Sequence, residues 1–458
     1  MRFLKKIFPI FLYTIPIIFF SVCYFLITTS SEDVSQGAGQ AVNLLKEIKE
    51  AFLYNPRLGE LYTWPFINFF NYQYSFGVDT IFRLFDILMA MSLLVVMVVV
   101  ATGRFPQLNV KDGLLFNVGF LFLVLAPIRY SEVFYARFSF IHNYLIIALL
   151  FALLLIPISL EIRKRKLPKT KTFLLASFIL GFLFGMSSQV TPVVLIGTVA
   201  LLFSYTILLS KKLQFNFSYW LRDWKIYTLA GVLFALVVMY GIGSGVASHY
   251  ANDPLLHYIP LGSILTQPLE ALTGLFINLL KNTLILLPYG LVIAACAVLL
   301  GFYQKNQSAN ERCVTKKVIL YSSVFSLLYL LAMSQIYFAS LLRVTLPIYI
   351  VVIIIVLFTI NLATPYLKKY IVFVLGLALV AISILTTVDM TKNQIAYNNQ
   401  IRPILIEIKA NKQRVVCVNK EDIKPPVSYF GFHQTPILEE WAMPLNIYDK
   451  EVTFCETQ

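Results

Sequence analysis

Residues 345–362 read TLPIYIVVIIIVLFTINL, a run without a single charge. At 1.5 Å rise per residue such a run matches the ~30 Å hydrocarbon core of a bilayer. Working outward, similar apolar runs recur at 7–29, 80–102, 112–128, 141–160, 172–187, 190–209, 226–245, 283–303, 318–338 and 371–388. The expectation is an all-α polytopic membrane protein with about 11 transmembrane helices. Residues 171–209 are broken only by Met186-Ser187-Ser188-Gln189 and Pro192. As one helix they would extend about 58 Å, so two spans joined by a tight turn are predicted. Residues 1–388 then form the membrane domain and 389–458 a small extracytoplasmic α/β tail.

Composition agrees. Of 458 residues, 59% are apolar and 13% charged, and mean hydropathy is +0.77. Soluble domains carry about 25% charged residues. That gap excludes a soluble enzyme, a disordered tail protein and a fibrous repeat. The net charge of +14 would suggest nucleic acid in a soluble chain. Here no water-soluble segment interleaves basic and aromatic residues, so no nucleic-acid partner is expected and membrane lipids are.

The charges also orient the chain. With the N-terminus inside, more than half of the 37 basic residues fall on the inner side. They include Arg104, the run Arg163-Lys164-Arg165-Lys166, Lys225 and Lys368-Lys369. The short outer loops hold few cations. An odd number of spans sends the tail outside. The first run lacks a small-x-small cleavage site and predicts a signal anchor, not a removed signal peptide.

Chemistry is sought in the outer segments. The first outer loop (30–79) opens with Glu32-Asp33, followed by a surface helix over 40–54 in which Leu45, Ile48 and Phe52 share one face. Arg57-Leu58-Gly59-Glu60 ends that helix, and an aromatic run from Trp64 to Phe76 follows. Such a run serves as an interfacial belt or as a wall for stacking sugars. The second outer segment carries Arg129, Glu132, Arg137 and His142. Charges at that depth are costly unless they pair or meet water, so they form either a structural ion pair or a polar pocket. Gln189 lies at the turn between two spans, where helix packing and ligand binding explain it equally. Arg343 stands in a very short outer loop, placed to reach lipid phosphate or to hold the phosphate of a lipid-linked substrate.

His249, Asp253, His257 and Glu270 share a loop without metal-ligand spacing, and the five cysteines show none either. Cys417 and Cys455 lie in two strand-like runs of the tail, at 414–418 and 451–455. They form a disulfide in an oxidising compartment or remain free thiols on neighbouring strands. An amphipathic helix over about 392–411, with Ile401, Leu405 and Ile408, opens the tail.

The order of these features resembles the GT-C class of polytopic glycosyltransferases. The likeness rests on Glu32-Asp33 after the first span, the surface helix, Arg57-Leu58-Gly59-Glu60, the polar segment Arg137–Tyr144, the run Gly181-x-x-x-Gly185-x-Ser187-x-Gln189, and Arg343 at an outer span start. Related sequences often carry an acid where Gln189 stands, so no metal or charge role is carried over to it. The resemblance implies a sugar moved from a polyprenyl-phosphate donor to a glycan or lipid-linked acceptor on the outer face of a bacterial inner membrane. Asp33 would act as base, with Glu32 sharing that work or binding acceptor. Arg57, Arg129, Glu132, Arg137, His142, Gln189 and Arg343 would bind substrate, and a divalent metal is allowed but not required. Two other classes fit the same layout. An O-antigen polymerase or ligase would rely on His249 or His257 with Arg343. A polysaccharide or lipid flippase or transporter should show internal repeats or mid-span charges, and neither is evident.

Overall fold

The computed structural model describes residues 2–26, 49, 52–53, 57–59, 61, 76–125, 144–187, 194–201, 223–242, 259, 263–303, 307–335, 345–419, 445–447 and 450–455. The long helices among them are α1 (Arg2–Leu26), α2 (Phe76–Thr102), α3 (Val110–Val124), α4 (Ile146–Ile162), α5 (Lys171–Gly185), α6 (Trp224–Ile242), α7 (Pro268–Tyr303), α8 (Ala309–Met333), α9 (Leu346–Ala363) and α10 (Lys369–Ala410). Residues 194–201 are helical as well. Six helices are long and apolar enough to cross a membrane, namely α1, α2, α7, α8, α9 and α10. Three shorter apolar stretches accompany them, at Ile146–Ile162, Lys171–Gly185 and Trp224–Met239. The chain is a helical, multi-pass membrane protein.

Two helices outrun the sequence reading. The span expected at 283–303 begins at Pro268, so the part of the expected loop that carries Glu270 is helix. The span expected at 371–388 and the amphipathic segment expected at 392–411 are one helix, α10. Neither Gly nor Pro occurs in 388–392, so nothing local forces the helix to stop at the membrane surface.

Helix α9 is the hub. Leu346–Ile355, Leu357, Phe358 and Thr359 are all buried, with α2, α3, α4, α7 and α8 around it. The Tyr349 hydroxyl donates to the Phe122 carbonyl of α3, and its ring meets Tyr289 of α7 edge-on at 5.7 Å. Phe151 of α4 stacks on Phe184 of α5 and Phe325 of α8, with centroids at 6.0 and 5.4 Å. On the other flank, Phe19 of α1 meets Phe120 of α3 at 5.2 Å. There the Asn117 amide donates to the Leu12 carbonyl and accepts from the Ser383 hydroxyl at 3.1 Å, tying α1, α3 and α10 together. Such interhelical hydrogen bonds suit a bilayer, where water offers no alternative partner.

Helices α5 and α6 cross most closely, for a reason visible in their glycines. A Cβ on Gly181 would strike the Thr228 carbonyl, one on Gly185 the Ala235 methyl, and one on Gly231 the Phe178 carbonyl. The Gly181-x-x-x-Gly185 spacing is therefore a helix-packing device, letting two backbones touch.

After α10 comes a small sheet. Strands β1 (Val415–Val418), β2 (Leu445–Ile447) and β3 (Lys450–Phe454) have the order β1-β3-β2. β1 runs parallel to β3 with Val415 opposite Glu451, and β2 runs antiparallel to β3. That register sets Cys417 opposite Thr453 and brings it to Cys455, to which it is disulfide-bonded with a Cα separation of 5.0 Å. Ile408 is buried; of the predicted amphipathic face, the side chains of Ile401 and Leu405 lie outside the described residues.

Candidate functional site

The two ends of the bundle differ in chemistry. At the end where α1 finishes, the Arg83 guanidinium donates to the Tyr24 carbonyl. The last turn of a helix leaves carbonyls without intrahelical donors, and a cation there also meets the negative end of the helix dipole. One turn further into α2 lies Asp86, 1% exposed and close enough to Tyr24 to act on it electrostatically. Arg83 and Asp86 share a helix face at i, i+3 spacing. A carboxylate one turn inside an apolar span is expensive, and it marks functional or tightly paired positions. Asp86 was not singled out from the sequence. Its signal was the Arg83-x-x-Asp86 pair set against a long apolar run.

The same end holds a contact between distant segments. The Leu58 amide donates to the Met186 carbonyl at 2.6 Å, and the Leu61 amide closes a turn onto the Arg57 carbonyl at 2.9 Å. Phe52, Leu58 and Leu61 pack on Met186, Ala235 and Met239, at the ends of α5 and α6. Arg57, half-buried, is thereby fixed beside Met186-Ser187. The glycine crossing positions this platform: with α5 and α6 in backbone contact, Met186, Ala235 and Met239 form one buried patch for Leu58. Of the residues predicted to form the site, Arg57 is described. Glu32, Asp33, Arg129, Glu132, Arg137, His142, Gln189 and Arg343 lie outside the described residues, as do His249, Asp253 and His257. Among the described residues no three His, Cys, Asp or Glu side chains gather as metal ligands.

The opposite end is basic. Asp112, fully buried, receives both arms of Arg104 at 2.6 and 2.8 Å, with the Gln107 amide at 2.7 Å. Asn109 caps α3 by accepting from the Asp112 amide at 2.9 Å. A fork-to-fork pair is the strong form of a carboxylate–guanidinium contact. The Asp112 carboxylate raises the Arg104 pKa above its ordinary value by hydrogen bonding to it. Lys225 donates to Glu161 at 2.8 Å and lies 3.5 Å from Asp223.

Arg163 stands apart. It donates to the Ser159 carbonyl at 3.1 Å, to the Ser159 hydroxyl, and to the Ala101 carbonyl at 2.5 Å. Its guanidinium also lies over the Phe358 ring, 5.7 Å from the centroid. Burial, with Arg165 nearby, pushes its pKa down to about 10, so it stays cationic at neutral pH. Among the described residues it meets no acid. Two backbone devices hold it. Gly103, at φ +74°, lies against the Arg163 side chain where a Cβ would collide. The end of α4 closes with the Lys164 amide on Glu161 and the Arg165 amide on Leu160, Lys164 taking φ 55°. That paired closure is a Schellman motif with lysine in the position glycine usually fills.

One cleft opens beside Arg163 and a second beside Lys225. The first, of about 80 Å³, is lined by Ser159, Arg163, Thr198, Tyr321, Ser322 and apolar residues of α2, α4, α8 and α9. The second, of about 240 Å³, is lined by Asp223, Trp224, Lys225, Thr228 and apolar residues of α4 and α6. Ile158, Leu195 and Val199 border both.

No protein-family model, no curated protein and no solved structure matches this chain.

Proposed function

We propose that this protein is an integral-membrane glycosyltransferase of the GT-C kind, with about 11 spans, its N-terminus cytoplasmic and its C-terminal region outside. It moves a sugar from a polyprenyl-phosphate donor to a glycan or lipid-linked acceptor, at the bundle end where α1 gives way to Glu32-Asp33. The bacterial inner membrane is the setting the resemblance supports. The observation that carries this reading is the Leu58–Met186 hydrogen bond. It joins the Arg57-Leu58-Gly59-Glu60 stretch to the Gly181–Gln189 stretch, two pieces of the resemblance far apart in sequence. Asp86, buried beside Tyr24 at the same end, adds a carboxylate there.

The chemistry needs little from the protein. The donor brings its own leaving group, so no acid must protonate it, unlike hydrolysis of an ordinary glycoside. Asp33 takes the acceptor hydroxyl proton as the acceptor oxygen attacks the anomeric carbon. The bond from that carbon to phosphate oxygen breaks, and its electron pair leaves on the polyprenyl phosphate. One displacement inverts the anomeric centre. Arg343, Arg129 and Arg137 offset the charge on the departing phosphate, while Arg57, Glu132, His142 and Gln189 bind substrate and Glu32 supports Asp33.

The test is Asp33→Asn, assayed in membranes given a panel of undecaprenyl-phosphate sugars with labelled hexose or pentose, with folding checked by thermal melting. A general base contributes about 10²–10⁴-fold, so transfer should fall by that much. Full activity in the variant removes the assignment. Loss with His249→Ala or His257→Ala but not with Asp33→Asn would move the reading to a polymerase or ligase.

A further inference from the structure

The two clefts at the basic end play no part in sugar transfer at the other end, and their chemistry points elsewhere. Each is a partly open groove walled mainly by aliphatic and aromatic side chains. They share Ile158, Leu195 and Val199 as a partition, so they lie on two sides of one wall. At the rim of the first sits Arg163, three of whose five N–H groups are spent on Ser159 and Ala101. Among the described residues no acceptor takes the other two. At the rim of the second, Lys225 is already neutralised by Glu161 and Asp223. Arg163 is therefore the cation with charge to offer. Lys164, Arg165 and Lys166 follow it, all exposed, which draws negative lipid surface to this end. Tyr321, which lines the first cleft, lies within electrostatic reach of Glu161 and Lys225 at the second, so the two rims are neighbours.

We infer that the paired clefts hold one anionic diacyl phospholipid, one acyl chain on each side of the Ile158–Leu195–Val199 partition, its phosphate on Arg163. Two apolar slots with a single unsatisfied cation match a lipid with two chains and one phosphate. A single-chain isoprenyl phosphate would fill one slot and leave the other empty. The lipid lies in the leaflet at the Arg163 end and has a structural or regulatory role separate from the transfer site. The inference does not depend on the glycosyltransferase reading.

The experiment is native mass spectrometry of the full chain, delipidated in mild detergent and then titrated with phosphatidylglycerol, with phosphatidylcholine of the same acyl chains, or with undecaprenyl phosphate. Wild type should retain one phosphatidylglycerol at least tenfold more tightly than phosphatidylcholine. Arg163→Gln should erase that preference. Because Arg163 also ties α4 to α2, Val199→Trp serves as a second variant that keeps the cation and fills the partition. It should release phosphatidylglycerol while melting like wild type. Equal retention of the two phospholipids by wild type overturns the inference. So does undiminished phosphatidylglycerol binding in Val199→Trp, or tighter retention of undecaprenyl phosphate than of phosphatidylglycerol.

Discussion

Helices α9 and α10 follow one another in the chain, and their apolar windows have the same mean hydropathy. Yet 78% of the α9 window is buried inside the protein and only 17% of the α10 window. α9 is apolar all round and touches neighbours all round. α10 turns Val374, Leu377 and Leu385 outward and buries a narrow stripe that includes Ser383, Thr386, Met390 and Asn393. Gly376 lies on the same stripe, where a Cβ would press on the Phe8 ring and Leu114. In water the apolar face of a helix seeks the core. In a bilayer lipid tails are as apolar as leucine, so small and polar residues mark the packed face instead.

Five substitutions test this comparison and the regions around it. The largest effect should come where backbones themselves touch. Gly231→Leu sets a side chain against the Phe178 carbonyl and should cost about 4 kcal/mol or more, or abolish folding, in denaturant melts in bicelles. A mild loss would mean that the α5–α6 crossing is not as close as the glycines require. Next comes the contrast itself. Ile353→Ala in α9 leaves a cavity and should cost about 3 kcal/mol, whereas Leu385→Ala in α10 exchanges protein surface for lipid contact and should cost below about 0.5 kcal/mol. Equal losses would break the distinction between hub and rim.

Reduction of Cys417–Cys455 reaches the region beyond α10. With the cysteines 38 positions apart in sequence, the Cys417→Ser variant should lose about 2–4 kcal/mol of sheet stability. Hydrogen exchange should show β1 and β3 opening while α9 amides stay protected. Exchange spreading into α9 would show the sheet and the hub melting as one. The smallest effect is a gain: Lys164→Gly relieves the left-handed backbone at the end of α4 and should stabilise by about 1 kcal/mol. No gain would mean that the lysine side chain makes a compensating contact.

The fold was legible where the physics is local. Apolar runs without charge can only be satisfied as helices in lipid, so the hub run 345–362 is found almost residue for residue at Leu346–Ala363. In α10 the apolar run stops before the helix does, so its end was misjudged; the start of α7 was placed too late although Leu269, Leu272 and Phe276 extend its apolar pattern. The Gly181-x-x-x-Gly185 spacing could be quoted from the sequence, but its backbone partner on α6, Gly231, could not, because pairing is a tertiary property. Of the candidate site, Arg57 could be named in advance. Its neighbour Met186 and the burial of Asp86 could not, since each depends on which helices meet.

Sequence alone determined that this chain is helical, that it lives in a membrane, and that its cations are distributed unevenly between its loops. Each follows from the transfer energy of single residues, which needs no knowledge of neighbours. Tertiary structure alone decided that α9 rather than α10 is the hub, that Leu58 docks on Met186, and that Arg163 stands beside a cleft without an acid partner among the described residues. Those outcomes depend on which surfaces fit together, and in lipid, where apolar faces are nearly equivalent, composition does not encode the choice.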